Sequence, residues 1–125
     1  MTVMNVVRRK ADVAQIISED PWTIVYYRKG ETPDDAPTTW TYTGRVQPAG
    51  MRSVAIERWS MELKGEHTVG RYSHCILAPA GTAKPRDGDT VVCTSQLDPS
   101  VVRKCRVIFA GEYSYKVEVL VDELE

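Results

Sequence analysis

Apolar and polar positions change period several times along this chain, and each change marks an element. From about Val3 to Ile17, the residues Val6, Val7, Lys10, Val13, Ala14 and Ile17 fall near i, i+3, i+4, i+7 spacing. This thin stripe predicts an N-terminal helix over residues 1–18. Asp20-Pro21 ends it, because proline disfavours helical geometry in the residue before it. Trp22 to Arg28 contains Ile24, Val25, Tyr26 and Tyr27, a β-rich run. Lys29 to Pro37 carries Gly30, Pro33, Asp34, Asp35 and Pro37 and reads as a loop. Thr39 to Val46 then alternates, with Trp40, Tyr42 and Val46 on one face and Thr39, Thr41, Thr43 and Arg45 on the other. That is the period of a half-buried strand.

The β pattern resumes at Tyr72–Ala78 and continues through Thr90–Thr94, Val102–Phe109 and Tyr113–Val121. Turn residues separate these runs at Pro79–Gly88, Gln96–Ser100 and Ala110-Gly111-Glu112. Alternation puts Cys105, Val107 and Phe109 on one face, opposite Lys104, Arg106 and Ile108. In the last run Tyr113, Tyr115, Val117, Val119 and Val121 share a face, with Lys116 and Glu118 on the other. Strands in quick succession with short turns predict a meander closing into a small barrel. The expected fold is mainly β: one domain over residues 1–125, a small antiparallel β-barrel with a short N-terminal helix. Strands occupy 22–46 and 72–121, and a long loop or hairpin spans 47–70. A compact domain rarely keeps a structureless connection beyond about 12–15 residues unless the connection has a task. Part of residues 47–70 therefore reads as a long hairpin, either leaving the body of the protein or packed as an amphipathic hairpin on the barrel or on a neighbouring subunit. Trp59 and Met61 are apolar groups of the kind that mark interfaces when exposed.

Composition narrows the classes. The chain has 125 residues, 42% hydrophobic and 26% charged, with a formal net charge of −1. That size buries roughly two-thirds of the unfolded surface, enough to fold without metal or disulfide support. The near-zero charge argues against a dedicated nucleic-acid binder, which shows a basic excess. No apolar run approaches the ~18 residues of a membrane span. Met1 to Val7 is followed by Arg8-Arg9-Lys10, the reverse of a secretory signal.

Candidate chemistry is sparse. Cys75, Cys93 and Cys105 are odd in number, widely spaced and set in apolar runs, so they read as small core residues in a reducing compartment. His74 and Cys75 are adjacent in a strand and point to opposite faces. A Cys–His pair would need His67 or His74 to meet Cys93 or Cys105, and the spacing does not require it. Asp87-Gly88-Asp89 precedes a β-branched run and reads first as a turn entering a strand. No phosphate loop, dinucleotide, zinc-protease or serine-hydrolase motif is present. The expectation is a protein with no catalytic residues, metal or cofactor.

The order of these pieces resembles the head-closure, or head-to-tail stopper, proteins of tailed bacteriophages. The resemblance covers most of the chain. It rests on the short basic helix, Asp20-Pro21-Trp22-Thr23-Ile24-Val25-Tyr26, the strand Thr39 to Val46 and the long variable hairpin. It continues with Tyr72-Ser73-His74-Cys75-Ile76-Leu77-Ala78, Asp87-Gly88-Asp89-Thr90-Val91-Val92 and Tyr115-Lys116-Val117-Glu118-Val119. None of these is a sharp motif; order and length carry the likeness. It implies a virion protein of the neck, made in the host cytoplasm. The protein would form a homo-oligomeric ring below the portal or adaptor and above the tail terminator or tail tube. The ring closes the capsid exit around packaged double-stranded DNA and offers the tail a docking surface. In relatives a loop between two barrel strands enters the channel, and residues 47–70 lie where that loop would be. About 12 extended residues reach roughly 40 Å, enough for such a role. Arg52, Arg58, Trp59, Met61 and Lys64 are the channel-loop candidates. The cations would meet phosphate while Glu57, Glu62 and Glu66 limit the attraction.

A ring needs two complementary surfaces on each subunit. The basic Arg8, Arg9 and Lys10 and the acidic end with Glu123 and Glu125 are the assembly-surface candidates. The alternatives are another neck or tail component, such as a tail terminator or tail completion protein, and a small nucleic-acid-binding barrel. The last would stack bases on Tyr26, Tyr27, Trp40 and Tyr42, although Trp40 and Tyr42 lie on the apolar strand face.

Overall fold

The computed structural model describes residues 3–48 and 72–124. Helix α1 (Val3–Glu19) is followed by six strands: β1 (Trp22–Arg28), β2 (Thr38–Pro48), β3 (His74–Pro79), β4 (Thr90–Ser95), β5 (Val102–Glu112) and β6 (Lys116–Glu123). They form a closed antiparallel barrel in the order β1-β2-β3-β6-β5-β4.

The expected single meander is instead two three-stranded meanders, β1-β2-β3 and β4-β5-β6, joined along two seams. One seam pairs β1 with β4, and the other pairs β3 with β6. The registers define two ends. Trp22, Pro48, His74, Ser95 and Glu123 lie towards the upper end, and Arg28, Thr38, Pro79, Thr90 and Lys116 towards the lower. Because β3 and β4 are not neighbours, residues 80–89 cross the lower end. The indole N–H of Trp40 donates to the Ala83 carbonyl there (3.3 Å), and Pro85 is buried.

Alternation fills the interior as the sequence implies. Ile24, Tyr26, Ile76, Val91, Val107 and Val119 are fully buried, with Trp40 and Tyr42 packed against them. The Tyr26 and Tyr42 hydroxyls meet at 2.7 Å, and the Tyr26 ring stacks on Trp40 at 5.1 Å. Gly44 allows β2 to pass close to β3, since a Cβ there would lie 2.7 Å from the Leu77 carbonyl oxygen.

Three further sequence expectations are corrected. The first concerns the strand after Val102. Its register shifts between Val107 and Phe109, so a bulge carries Phe109 to the outer face, where it packs with Cys75, Leu120 and Tyr72. Period-2 counting cannot see an inserted residue. The second concerns Ala110-Gly111-Glu112, which continues β5; the turn comes at residues 113–115, so Tyr113 and Tyr115 precede β6. The third concerns α1. It buries Val13 and Ile17 against Leu77 and Tyr115, whereas Val7, Lys10 and Ala14 are exposed. At 100° per residue Ala14 lies well round from Val13, so the stripe that packs is narrower than the stripe that the sequence shows.

Candidate assembly surfaces

The residues singled out for assembly fall into separate places. Arg8, Arg9 and Lys10 are exposed on α1, and the Arg9 guanidinium lies 5.0 Å from the Tyr115 ring centre, near the lower end. Glu123 is at the upper end, where its carboxylate accepts from Arg103 at 3.2 and 3.3 Å. The barrel thus does not bring the basic run and Glu123 together. Arg52, Arg58, Trp59, Met61 and Lys64, together with Glu125 and His67, lie outside the described residues.

Between α1 and the β3–β6 wall is a cleft of about 380 Å³. Arg9, Val13 and Ile16 line it from the helix, and Leu77, Lys116 and Glu118 from the wall. Lys116 and Glu118 form a buried ion pair at its floor, and the Cys75 thiol lies 3.9 Å from the Glu118 carboxylate. Burial lowers the Lys116 pKa, with Cys75 opposing and Arg9 reinforcing that shift. Burial pushes the Cys75 thiol up to about 12, which leaves it a poor nucleophile. Strand alternation had placed Lys116 and Glu118 on the polar face. They do point outward, but onto a face that is covered, and strand period carries no sign of that cover.

The upper rim gathers Ser73, His74, Arg103 and Glu123. The His74 Nδ1 and Ser73 Oγ are 2.9 Å apart, and Ser73 Oγ accepts from the Glu123 backbone N–H at 2.7 Å. Burial and Arg103 lower the His74 pKa against the pull of Glu123. Cys93 and Cys105 sit below in the core and are fully buried. Contact with Cys105 and burial push the Cys93 thiol up. His74 is hydrogen-bonded to serine, not to a thiol.

At the lower end Asp89 is buried and accepts from Arg28 Nε and a terminal guanidinium nitrogen (3.2 and 2.9 Å) and from the Arg86 N–H (2.9 Å). Burial works to raise its pKa, but these donors outweigh burial and hold the carboxyl below its usual value. Gly88, with φ +91°, makes the turn that brings Asp89 into place. The Asp-Gly-Asp run is therefore a turn with a structural clasp. Tyr26 lies in the core and Tyr42 is packed against it, so the aromatic set does not form a surface stacking platform; Tyr27 alone of the four is 41% exposed.

The remaining feature was not recognised from the sequence. The outward positions of β2, β1, β4 and β5 make a bare wall. Thr23 pairs with Thr43 and Thr94, Val25 with Thr41 and Val92, and Tyr27 with Thr39 and Thr90. On β5 the outward positions are Val102, Lys104 and Arg106, opposite Thr94, Val92 and Thr90. None of these side chains is buried. Gln96 fastens the top, donating to Thr23 and Thr43 at 3.2 and 3.4 Å. The wall holds no carboxylate, and both of its charges are cations on β5. It lies across the barrel from the β3–β6 seam. The Thr39-x-Thr41-x-Thr43 alternation was its signal: three successive outward positions of one strand carry no charge.

No protein-family model, curated protein or solved structure matches this chain. Among the described residues no helix is long and apolar enough to cross a membrane.

Proposed function

We propose that this chain is a structural virion protein of a tailed-phage neck. It forms a homo-oligomeric ring beneath the portal or adaptor, closes the capsid exit after DNA packaging and offers the tail a docking surface. The observation that supports this most is topological. Strands β2 and β3 are direct antiparallel neighbours whose pairing runs to Pro48↔His74, yet residues 49–73 separate them in sequence. A hairpin between paired strands ordinarily uses about 2–5 residues. The long insertion leaves from one end of a closed barrel, the position at which the stopper resemblance places its variable hairpin.

The chemistry of the described residues is compatible with a structural role. The three thiols are buried, His74 is tied to Ser73, and Asp89 is committed to Arg28. The inward placement of Tyr26 and Tyr42 removes the feature that favoured a base-stacking barrel.

Electron microscopy of particles assembled without this protein tests the proposal. Filled heads that leak DNA and never acquire tails are the expected result. Heads that stay filled and join tails normally would end it.

A further inference from the structure

Strand β2 is paired along its whole length on neither side. Residues 38–44 pair with β1, and residues 45–48 pair with β3. Strand β3 ends at Pro79, where the Thr82 N–H donates to the Pro79 carbonyl and the chain turns away to cross the lower end. The crossing meets β2 through the Trp40 indole, on the inner side of the strand. Alternation identifies the groups this leaves open. The Leu77 carbonyl oxygen points at β2, 2.7 Å from where a Gly44 Cβ would stand, so the opposed Arg45 and Leu77 exchange backbone hydrogen bonds. The peptide groups on that side of β2 therefore belong to Arg45 and Gln47 and, further down, to Thr39, Thr41 and Thr43. Among the described residues no backbone group pairs with these three threonines on that side.

Donors and acceptors alternating along about 14 Å of extended chain fit one kind of occupant, the backbone of another strand. Proteins that keep an edge single guard it with lysine, proline or a bulge. The open stretch reads Thr-Thr-Trp-Thr-Tyr-Thr-Gly, with no charge and no proline, and its register with β1 runs without a bulge. It is also its own antiparallel complement. With Thr41 at the centre, Thr39 stands opposite Thr43 of a second copy, and Trp40 opposite Tyr42. Threonine pairs and aromatic pairs are both favourable cross-strand neighbours, and an uncharged strand meets itself without repulsion. Trp40 and Tyr42 point inward yet are only half-buried, whereas Tyr26 beside them is fully buried. Below Gly44, β3 gives them no neighbouring strand.

We infer that the lower half of β2 pairs antiparallel with the same strand of a second copy of this chain, across a two-fold axis at Thr41. The N–H and C=O groups of Thr39, Thr41 and Thr43 in each copy then satisfy those of the other, and β1-β2 of one barrel continues into β2-β1 of the next. The contact is isologous and closes at two copies, so it goes beyond the ring reading and does not rest on it. A strip of about 14 Å is much smaller than the roughly 800 Å² per partner of a stable pair. The dimer therefore forms at high concentration and dissociates on dilution.

The test is cross-linking of the purified full chain at high concentration with a short bismaleimide. The native thiols are buried, so engineered cysteines report the contact. Thr41→Cys by itself is expected to give cross-linked dimers, because the two Cβ atoms at the axis stand about 5.5 Å apart. Thr39→Cys by itself and Thr43→Cys by itself should each give at least about five-fold less, since either residue lies about 14 Å from its counterpart in the second copy. A mixture of those two variants should cross-link as well as Thr41→Cys does. Equal yields from the three single variants would mean parallel pairing or random collision and would overturn the inference. So would the absence of product from Thr41→Cys. Charge gives a second reading without cysteine. Thr41→Lys and Thr41→Glu should each weaken self-association in sedimentation about ten-fold, since like charges then face each other at the axis, and mixing the two should restore it. Failure of restoration with both variants folded by circular dichroism also overturns it, as does a wild-type chain that sediments as a monomer at its highest soluble concentration.

Discussion

Replacing Asp89 by asparagine removes one charge and leaves the shape of the lower end intact. The wild-type carboxylate is 7% exposed and accepts two N–H groups from Arg28, itself 28% exposed, and one from Arg86. Hydrogen bonds to a charged group contribute about 1.5–3 kcal/mol net each. Asparagine keeps one carbonyl acceptor, and the stranded Arg28 can still reach water, so the loss falls below the ~3–5 kcal/mol seen when a deeply buried pair is broken. About 2 kcal/mol is the expected cost. With a urea dependence of about 2 kcal/mol per molar, the midpoint drops by about 1 M at unchanged slope. The pH dependence follows from the depressed pKa. A carboxyl whose folded value lies below its unfolded value adds stability above the unfolded value, near ~3.9, and that stability is lost as pH falls through the folded value. The gap between wild type and Asp89→Asn should be full at pH 7 and close in acid. A gap below about 0.5 kcal/mol at pH 7, or one that persists unchanged in acid, would refute the assignment of Asp89 as the clasp of the lower end.

Gly44→Ala forces a methyl group against the Leu77 carbonyl oxygen at 2.7 Å and should cost about 1–3 kcal/mol in thermal unfolding. Tyr42→Phe strands the buried Tyr26 hydroxyl and should cost about 1–2 kcal/mol by the same assay. Lys116→Met should destabilise the chain by about 3 kcal/mol, because it leaves Glu118 without its ammonium partner in the cleft. The double variant Lys116→Met with Glu118→Leu should lie nearer wild type than Lys116→Met does, and additive losses in a double-mutant cycle would contradict the pairing. The Cys75, Cys93 and Cys105 thiols should react with an aromatic disulfide reagent only on unfolding, and fast labelling of any of them in the native state would contradict their burial.

The strands were legible because their inward faces obey period 2 with few interruptions, as in Trp22, Ile24 and Tyr26 or Val117, Val119 and Val121. The helix was legible from its stripe and the Asp20-Pro21 stop. What escaped the sequence depended on partners distant along it. Phe109 changes face because of a bulge against β6, and nothing within the strand signals that slip. Lys116 and Glu118 look like surface residues, yet both are buried beside the cleft under α1, with the Tyr113 and Tyr115 rings over the Lys116 ammonium. The order of strands around the barrel depends on a crossing at residues 80–89 whose length suits either topology. The bare wall could have been noticed from its threonines, but only the pairing of four strands shows that they are contiguous.

The two seams of the barrel have a consequence for synthesis. When β1, β2 and β3 have left the ribosome, β1 still waits for β4 and β3 for β6. This first sheet presents two open edges, each a template for pairing with another chain. The β1 edge can close once β4 has been made, but the sheet then ends on β4 or β5, and the β3 edge stays open until β6, the strand buried on both faces from Lys116 to Val121, has been made. The nascent chain is therefore most exposed to misassociation during translation of residues 80–123, and a holdase acting in that interval should raise the yield of folded protein more than one added after release.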